Sequence, residues 1–304
     1  MIIFSSLRSF TYAIMFATPY ILTGLSVIFA YKAGIFNIGV EGQYVIGGIA
    51  TLFTAVKFGE LPPYVLIPLC MIVAVVASGL WGALIAFLNI KFKVNNIISM
   101  IMFNWIALYL SNFIIENCGL LNLSVTTVSV DISKNANMRI PKQLISDMKL
   151  CNATNVGIII AILMAFLVYF ILEKTTIGYE VKSVGLNSDA SKAAGMKVNR
   201  IKCFTLSASA MLAGLGGALQ LMGMSKRLCI YTSQEGYGFG GIVVALTAFI
   251  NPILSIFTGL IYGAMKYSSR ALNLVGIPTQ VIDAIVGFVV YIIAILQILK
   301  ERKK

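Results

Sequence analysis

The chain has 304 residues, of which 59% are hydrophobic and only 11% charged, with a mean hydropathy of +0.92. A soluble domain is about 45–50% apolar and about 25% charged, so this composition excludes an ordinary soluble fold and points to one integral membrane unit over 1–304. The net charge of +12 would suggest nucleic acid in a soluble chain; here the basic residues lie between apolar runs, where they orient spans against the cytoplasmic leaflet, and no nucleic-acid partner is expected.

A histidine count of 0 removes His-based triads, His metal sites and His proton relays. The five cysteines (Cys70, Cys118, Cys151, Cys203, Cys229) contain no CxxC pair, so neither a metal cluster nor a disulfide framework is expected. No phosphate-binding Gly-x-x-x-x-Gly-Lys-Ser/Thr loop, HExxH or GxSxG occurs. The chain therefore carries no recognisable enzyme chemistry of its own, and no cofactor is expected.

Windows of about 19 residues place spans near 10–31, 38–56, 64–90, 97–118, 156–173, 203–224, 238–250, 253–272 and 279–299. The expected fold is thus an all-α polytopic membrane protein of about nine transmembrane helices. Asn251-Pro252 predicts a turn after the short seventh run.

The connection 174–202 carries Lys174, Lys182, Lys192, Lys197, Arg200 and Lys202, and the tail carries Lys300, Arg302, Lys303 and Lys304. Placing both inside puts the N-terminus outside, the C-terminus inside and the loop 119–155 outside. In that loop Leu123-Ser124-Val125-Thr126 alternates with period two and predicts a short strand.

Three segments stand out along the chain. Phe36-Asn37-Ile38-Gly39-Val40-Glu41-Gly42-Gln43-Tyr44 sets a carboxylate at the start of an apolar span. With Gly34, Gly39 and Gly42 it reads as a broken helix start, tolerated where backbone is buried in protein or lines a cavity. A headgroup-level charge favoured by the positive end of its own helix is the alternative.

The amides Asn95, Asn96 and Asn104, with Ser99, cluster at the head of the fourth span and suit either an uncharged polar solute or interhelical hydrogen bonding. Asn37, Glu41, Gln43, Asn95, Asn96 and Asn104 are the candidates to line a pathway.

Asn187-Ser188-Asp189-Ala190-Ser191-Lys192-Ala193-Ala194-Gly195 reads as a short helix with both ends specified. Asn187 suits the N-cap, Asp189 the positive end and Gly195 a left-handed stop. Two turns are unstable alone, so this helix packs on its own bundle or on a partner protein.

Finally, Glu235-Gly236-Tyr237-Gly238-Phe239-Gly240-Gly241-Ile242 and Glu41-Gly42-Gln43-Tyr44-Val45-Ile46-Gly47-Gly48-Ile49 share, with one gap, Glu-Gly-Tyr-x-x-Gly-Gly-Ile. One copy starts inside and the other outside, the pattern of an inverted repeat, although Gly and Ile are common in spans.

These stretches, with Ala17-Thr18-Pro19-Tyr20-Ile21-Leu22-Thr23-Gly24-Leu25, Thr176-Ile177-Gly178, Val184-Gly185-Leu186-Asn187 and Ala193-Ala194-Gly195-Met196, resemble the permease subunits of ABC importers. The branch is the one serving ribose, branched-chain amino acids and nucleosides, and the nucleoside-type permeases are most similar. The resemblance implies a coupling helix at Asn187, Ser188, Asp189, Ala190, Ser191, Lys192, Ala193, Ala194 and Gly195 within a cytoplasmic coupling loop 174–202, docked on a cytoplasmic ATP-binding cassette subunit.

It also implies a second permease subunit (a homo- or heterodimer), an extracellular substrate-binding lipoprotein and a multi-pass place in the lipid of the plasma membrane. The implied function is ATP-driven import of a small polar solute, with nucleosides expected and a sugar or amino acid as alternatives. An autonomous carrier or channel, and a non-transporting scaffold, are readings of other classes.

Relatives usually begin with an extra span, and the run at 10–31 corresponds to the one after it. Lys182-Ser183 stands where Arg-Ala is common, and Asn96 where relatives are often acidic. Tyr44, Trp105 and Tyr109 either stack on a base or only pack.

Overall fold

The computed structural model describes residues 6–140, 145 and 150–273, with isolated helical positions between 281 and 292. The expected span 279–299 therefore lies largely outside the described residues. The helices run α1 (Leu7–Tyr31), α2 (Val40–Lys57), α3 (Pro63–Phe92), α4 (Asn96–Asn117), α5 (Gly157–Lys174), α6 (Thr176–Leu186), α7 (Ser188–Ala193), α8 (Val198–Gln220), α9 (Tyr237–Thr247) and α10 (Leu254–Asn273). A π turn over Leu221–Ser225 continues α8.

Five of these helices are long and apolar enough to cross a membrane: α1, α3, α4, α5 and α8 with its π turn. The chain is a multi-pass α-helical membrane protein. In the most apolar stretch of α1, 94% of residues are buried, against 33%, 28% and 28% for α3, α4 and α5. So α1 is the central post, packed on α5, α8, α9 and α10, while α3–α5 form a rim whose Ile72, Leu80, Phe113 and Leu163 stay exposed. A hydrocarbon surrounding makes such a rim favourable.

Small residues let main chains touch. A methyl group on Gly217 of α8 would stand 2.3 Å from the Tyr44 carbonyl oxygen of α2, and one on Gly47 would stand 2.3 Å from Gly214. The run Ser207–Gly217 thus forms a close seam between α8 and α2, with Gly82 of α3 pressed on Ala210 from the other side.

Three expectations need correction. Leu123–Thr126 is a turn, because the Asn122 side chain accepts from the Ser124 and Val125 amides at 2.9 and 3.3 Å; the loop is instead tied to 226–230 through Ser129 N–H to the Leu228 carbonyl (2.8 Å) and Ile132 N–H to the Lys226 carbonyl (2.9 Å).

The segment 174–202 is mostly helical. Thr175 caps α6 by accepting from Gly178 N–H at 3.2 Å, and Gly178 lies so close to the end of α5 that a methyl group would meet the Ile171 carbonyl oxygen at 2.3 Å. Finally, α9 has 11 residues, a rise of about 16 Å, about half of the ~30 Å hydrocarbon core. It cannot cross alone. The turn expected at Asn251-Pro252 is present, with Asn251 Oδ1 accepting from Ile253 N–H at 2.9 Å.

Candidate functional site

A cavity of about 690 Å³ lies among α1, α2, α4, α8 and α10. Its walls carry Tyr12, Phe16 and Tyr20 from α1, Tyr44 from α2, Ser111 and Asn112 from α4, Gln220 from α8 and Lys266 and Ser269 from α10. Arg139, Asn152, Arg227, Tyr231 and Glu235 come from the loops at its rim. It occupies the end of the bundle where α1 begins and α8 finishes.

At the floor, Tyr237 lies between Tyr20 (ring centroids 5.3 Å apart) and Tyr44 (5.2 Å, planes within 27°), and Tyr262 meets Tyr20 edge-on at 4.7 Å. Gln220 Nε2 donates to the Tyr237 hydroxyl at 3.0 Å. Further along α1 from Tyr20, Val27 and Ile28 pack in an apolar cluster with Val40, Ala213 and Ala245.

At the rim, the Arg139 guanidinium holds the carbonyls of Gly223 (2.9 Å) and Met224 at the end of the π turn, and Arg227 pairs with Asp131 at 2.9 Å. Burial, and next the Glu235 charge, push the Tyr231 phenol well above its usual range, so it remains a neutral donor.

None of the six residues expected to line a pathway is among these walls. Four of them, Asn37, Glu41, Gln43 and Asn104, assemble at the broken start of α2 instead. Asn37, fully buried, donates through Nδ2 to Gln43 Oε1 and Ser209 Oγ, both at 2.8 Å, and Ser209 lies 2.9 Å from Ser26. Asn104 accepts from Gly42 N–H at 2.8 Å and donates to the Ile38 carbonyl at 3.0 Å. One side chain thus closes the irregular backbone groups that a membrane interior cannot leave open.

Asn95 is the N-cap of α4, accepting from Ile97 N–H at 2.9 Å, and Asn96 beside it is exposed. Trp105 and Tyr109 stack on each other at 6.0 Å on the exposed side of α4.

Glu41 is the least expected placement. Its carboxylate, 0% exposed, accepts from Gly236 N–H (2.8 Å), Gly238 N–H (2.5 Å) and Phe239 N–H (3.3 Å). It therefore caps α9, a helix 195 residues away, whose own N-cap is a left-handed glycine with no side chain to offer. A methyl group at Gly238 would stand 2.5 Å from Glu41 Cα, so only glycine admits this approach. The two Glu-Gly-Tyr segments thus meet in space: Glu41 bonds the second copy, and Tyr44 stacks on Tyr237.

At the opposite end, α7 has the caps expected of it. Asn187 Oδ1 accepts from Asp189 and Ala190 N–H, both at 3.0 Å, and Gly195 has φ +86°. Ser191 is buried against the bundle, while Asp189, Ala190, Lys192, Ala193, Ala194 and Gly195 are exposed. The adjoining Gly185 of α6 sits on the end of α1, where a methyl group would lie 2.1 Å from the Lys32 carbonyl oxygen.

Apart from Tyr44, the residues of the cavity floor were missed in the sequence. Their signal was tyrosine inside apolar runs (Tyr20, Tyr237) and one glutamine, Gln220, near the end of a span.

Residues 9–294 match the family model described as "Branched-chain amino acid transport system / permease component". Among curated relatives, the guanosine ABC transporter permease protein NupP of Bacillus subtilis is 36% identical, over 91% of this chain and 78% of its own. The nucleoside ABC transporter permease protein NupB of Lactococcus lactis is 31% identical over 95% and 80%, and the glucose ABC transporter permease protein TsgB13 of Haloferax volcanii 28% over 90% and 73%. A helical membrane bundle with a polar, aromatic cavity, matched to this family along almost its whole length, belongs to it: the chain is a permease component of an ABC transporter.

Proposed function

We propose that the chain forms the translocation path of an ATP-driven nucleoside importer in the plasma membrane, with the cavity as its solute vestibule. The observation that carries this is the cavity itself: about 690 Å³ with tyrosine faces, an amide and hydroxyls, fitting a molecule that is planar at one end and polyhydroxylated at the other. Two relatives bear names for guanosine or nucleoside permeases, which supports this cargo over a sugar.

The basic stretch Lys174–Lys202 favours α6–α7 on the cytoplasmic side, which leaves the N-terminus and the cavity mouth outside. In that orientation Tyr20, Tyr44 and Tyr237, with the apolar cluster beneath them, are the closed inner gate.

The segment Asn187–Gly195 is the coupling helix. It is too short to be stable unaided, has an exposed face and stands one backbone contact from the end of α1 through Gly185. ATP binding and hydrolysis on a separate cassette subunit would shift α7, and the two states of the path must hold it differently for work to be transmitted. A second permease subunit completes the path and an external binding lipoprotein feeds it. The antiparallel meeting of α2 and α9 at Glu41 supports an inverted repeat.

The test is reconstitution with the cassette subunit and binding protein. Nucleoside uptake should require ATP and stop when residues 187–195 are scrambled, with the thermal stability of the permease retained. Uptake that survives the scramble overturns the coupling assignment; gradient-driven uptake by the chain alone overturns the importer reading in favour of a carrier.

A further inference from the structure

At the cavity floor the α-helical part of α8 ends at Gln220 and widens into the π turn Leu221–Ser225, closed by Lys226 N–H to the Leu221 carbonyl at 2.9 Å. A π turn shifts the side chains that follow it and recurs at functional sites. Gln220 is 8% exposed yet lines the cavity.

Its placement is fixed twice. Three residues earlier, Gly217 lies main chain against main chain on Tyr44, and Gln220 Nε2 is bound to the Tyr237 hydroxyl at 3.0 Å. Its Oε1 accepts no hydrogen bond from the described residues.

Three other polar groups on the walls are already engaged. Arg139 serves two carbonyls, Arg227 an aspartate, and Asn112 Nδ2 the Tyr231 carbonyl at 2.9 Å. A neutral acceptor anchored through its own donor, beside a stack of three tyrosines, is arranged for a flat solute that carries an N–H on its edge.

We infer that Gln220 is a specificity-determining residue of the cavity, accepting through Oε1 a hydrogen bond from the amino or imino N–H of a nucleobase stacked on the floor tyrosines. Tyr237 is the positioning residue that sets the amide. The inference rests on the nucleoside reading, and it assigns discrimination to the permease as well as to whatever delivers the solute. A neutral acceptor suits an uncharged base, and a buried acceptor left unmatched disfavours a solute lacking the donor.

Adenosine and purine riboside differ at one edge, since the riboside has no exocyclic amine and no ring N–H. In vesicles holding the permease, its cassette subunit and its binding protein, the uptake rates of the two are measured together. The delivering protein is common to every preparation, and the amount of folded complex cancels in the ratio, so the readout is the change in ratio between variants.

Gln220→Met should lower the adenosine-to-riboside ratio by about 3- to 10-fold, the value of one neutral hydrogen bond. Gln220→Glu, which keeps an oxygen in place, should preserve it. If Gln220→Met does not assemble, Gln220→Asn, which draws the amide back by one methylene, carries the same expected loss. A ratio unchanged in Gln220→Met or Gln220→Asn, or lost equally in Gln220→Glu, overturns the inference while leaving the nucleoside reading standing. Failure of the wild type to take up either nucleoside removes that reading and this inference with it.

Discussion

Replacing Glu41 tests whether one carboxylate holds the start of α9. Two of its hydrogen bonds are short and charge-assisted, to Gly236 (2.8 Å) and Gly238 (2.5 Å), and the third, to Phe239, is long at 3.3 Å. Hydrogen bonds to a charged group contribute about 1.5–3 kcal/mol each, so Glu41→Ala forfeits about 3–6 kcal/mol of gross interaction.

Relief from burying a charge offsets part of this, as does any water that enters. A net local loss of about 2–3 kcal/mol remains. Glu41→Gln keeps one acceptor oxygen and turns an NH2 toward backbone donors, so it should lose nearly as much.

The assay is hydrogen exchange on the detergent-solubilised complex, read on peptides spanning 236–243. At 1.36 kcal/mol per tenfold, 2 kcal/mol makes local opening about 30-fold more frequent, while peptides of α3 and α5 should be unchanged. Glu41→Asp, shorter by one methylene, cannot reach all three amides and should fall between wild type and Ala. Unchanged exchange over 236–243 in Glu41→Ala would refute the cap and reduce Glu41 to a passively buried residue.

Gly217→Ala should destabilise the permease by roughly 1–3 kcal/mol or block its assembly, because the new methyl meets a fixed carbonyl at 2.3 Å. Gly48→Ala, whose nearest neighbour is a Leu228 methyl at 3.8 Å, should be neutral or slightly stabilising; thermal unfolding in detergent compares the two. Asn104→Leu removes both bonds to the 38–42 segment and leaves a buried N–H and C=O open, a loss of about 2–4 kcal/mol, visible as faster exchange over 36–43 with α4 itself protected. The raised Tyr231 phenol predicts stability that is complete below pH 10 and falls above it, because the unfolded phenol ionises there while the folded one resists; Tyr231→Phe should flatten that decline in an unfolding series from pH 8 to 11.

Helix positions were legible wherever one local signal set them. The fourth span, expected at 97–118, is α4 at Asn96–Asn117, because a capping Asn95 opens it and the apolar run closes at the same place. Likewise α7 needed only Asn187, Asp189 and Gly195. The alternation at Leu123–Thr126 misled, since the Asn122 side chain captures the next two amides and outcompetes strand pairing. Asn37, Glu41, Gln43 and Asn104, expected to line a pathway, are buried, and the partners that bury them lie on other segments, which hydropathy cannot register. Glu41 illustrates why: the helix it caps begins with glycines, and the missing cap could be noticed only by asking what satisfies their amides. Gln220 stood out only as a glutamine near the end of a span; its setting was not legible, because a π turn leaves no trace in the spacing of apolar residues.

The seam between α2 and α8 has a mechanical consequence. Where Gly47, Gly214 and Gly217 bring bare main chain together, there are no rotamers to switch and no flexible stems to absorb sliding. These two helices must travel as one stiff plate in any transport cycle, so the hinge lies elsewhere, at partners joined through side chains.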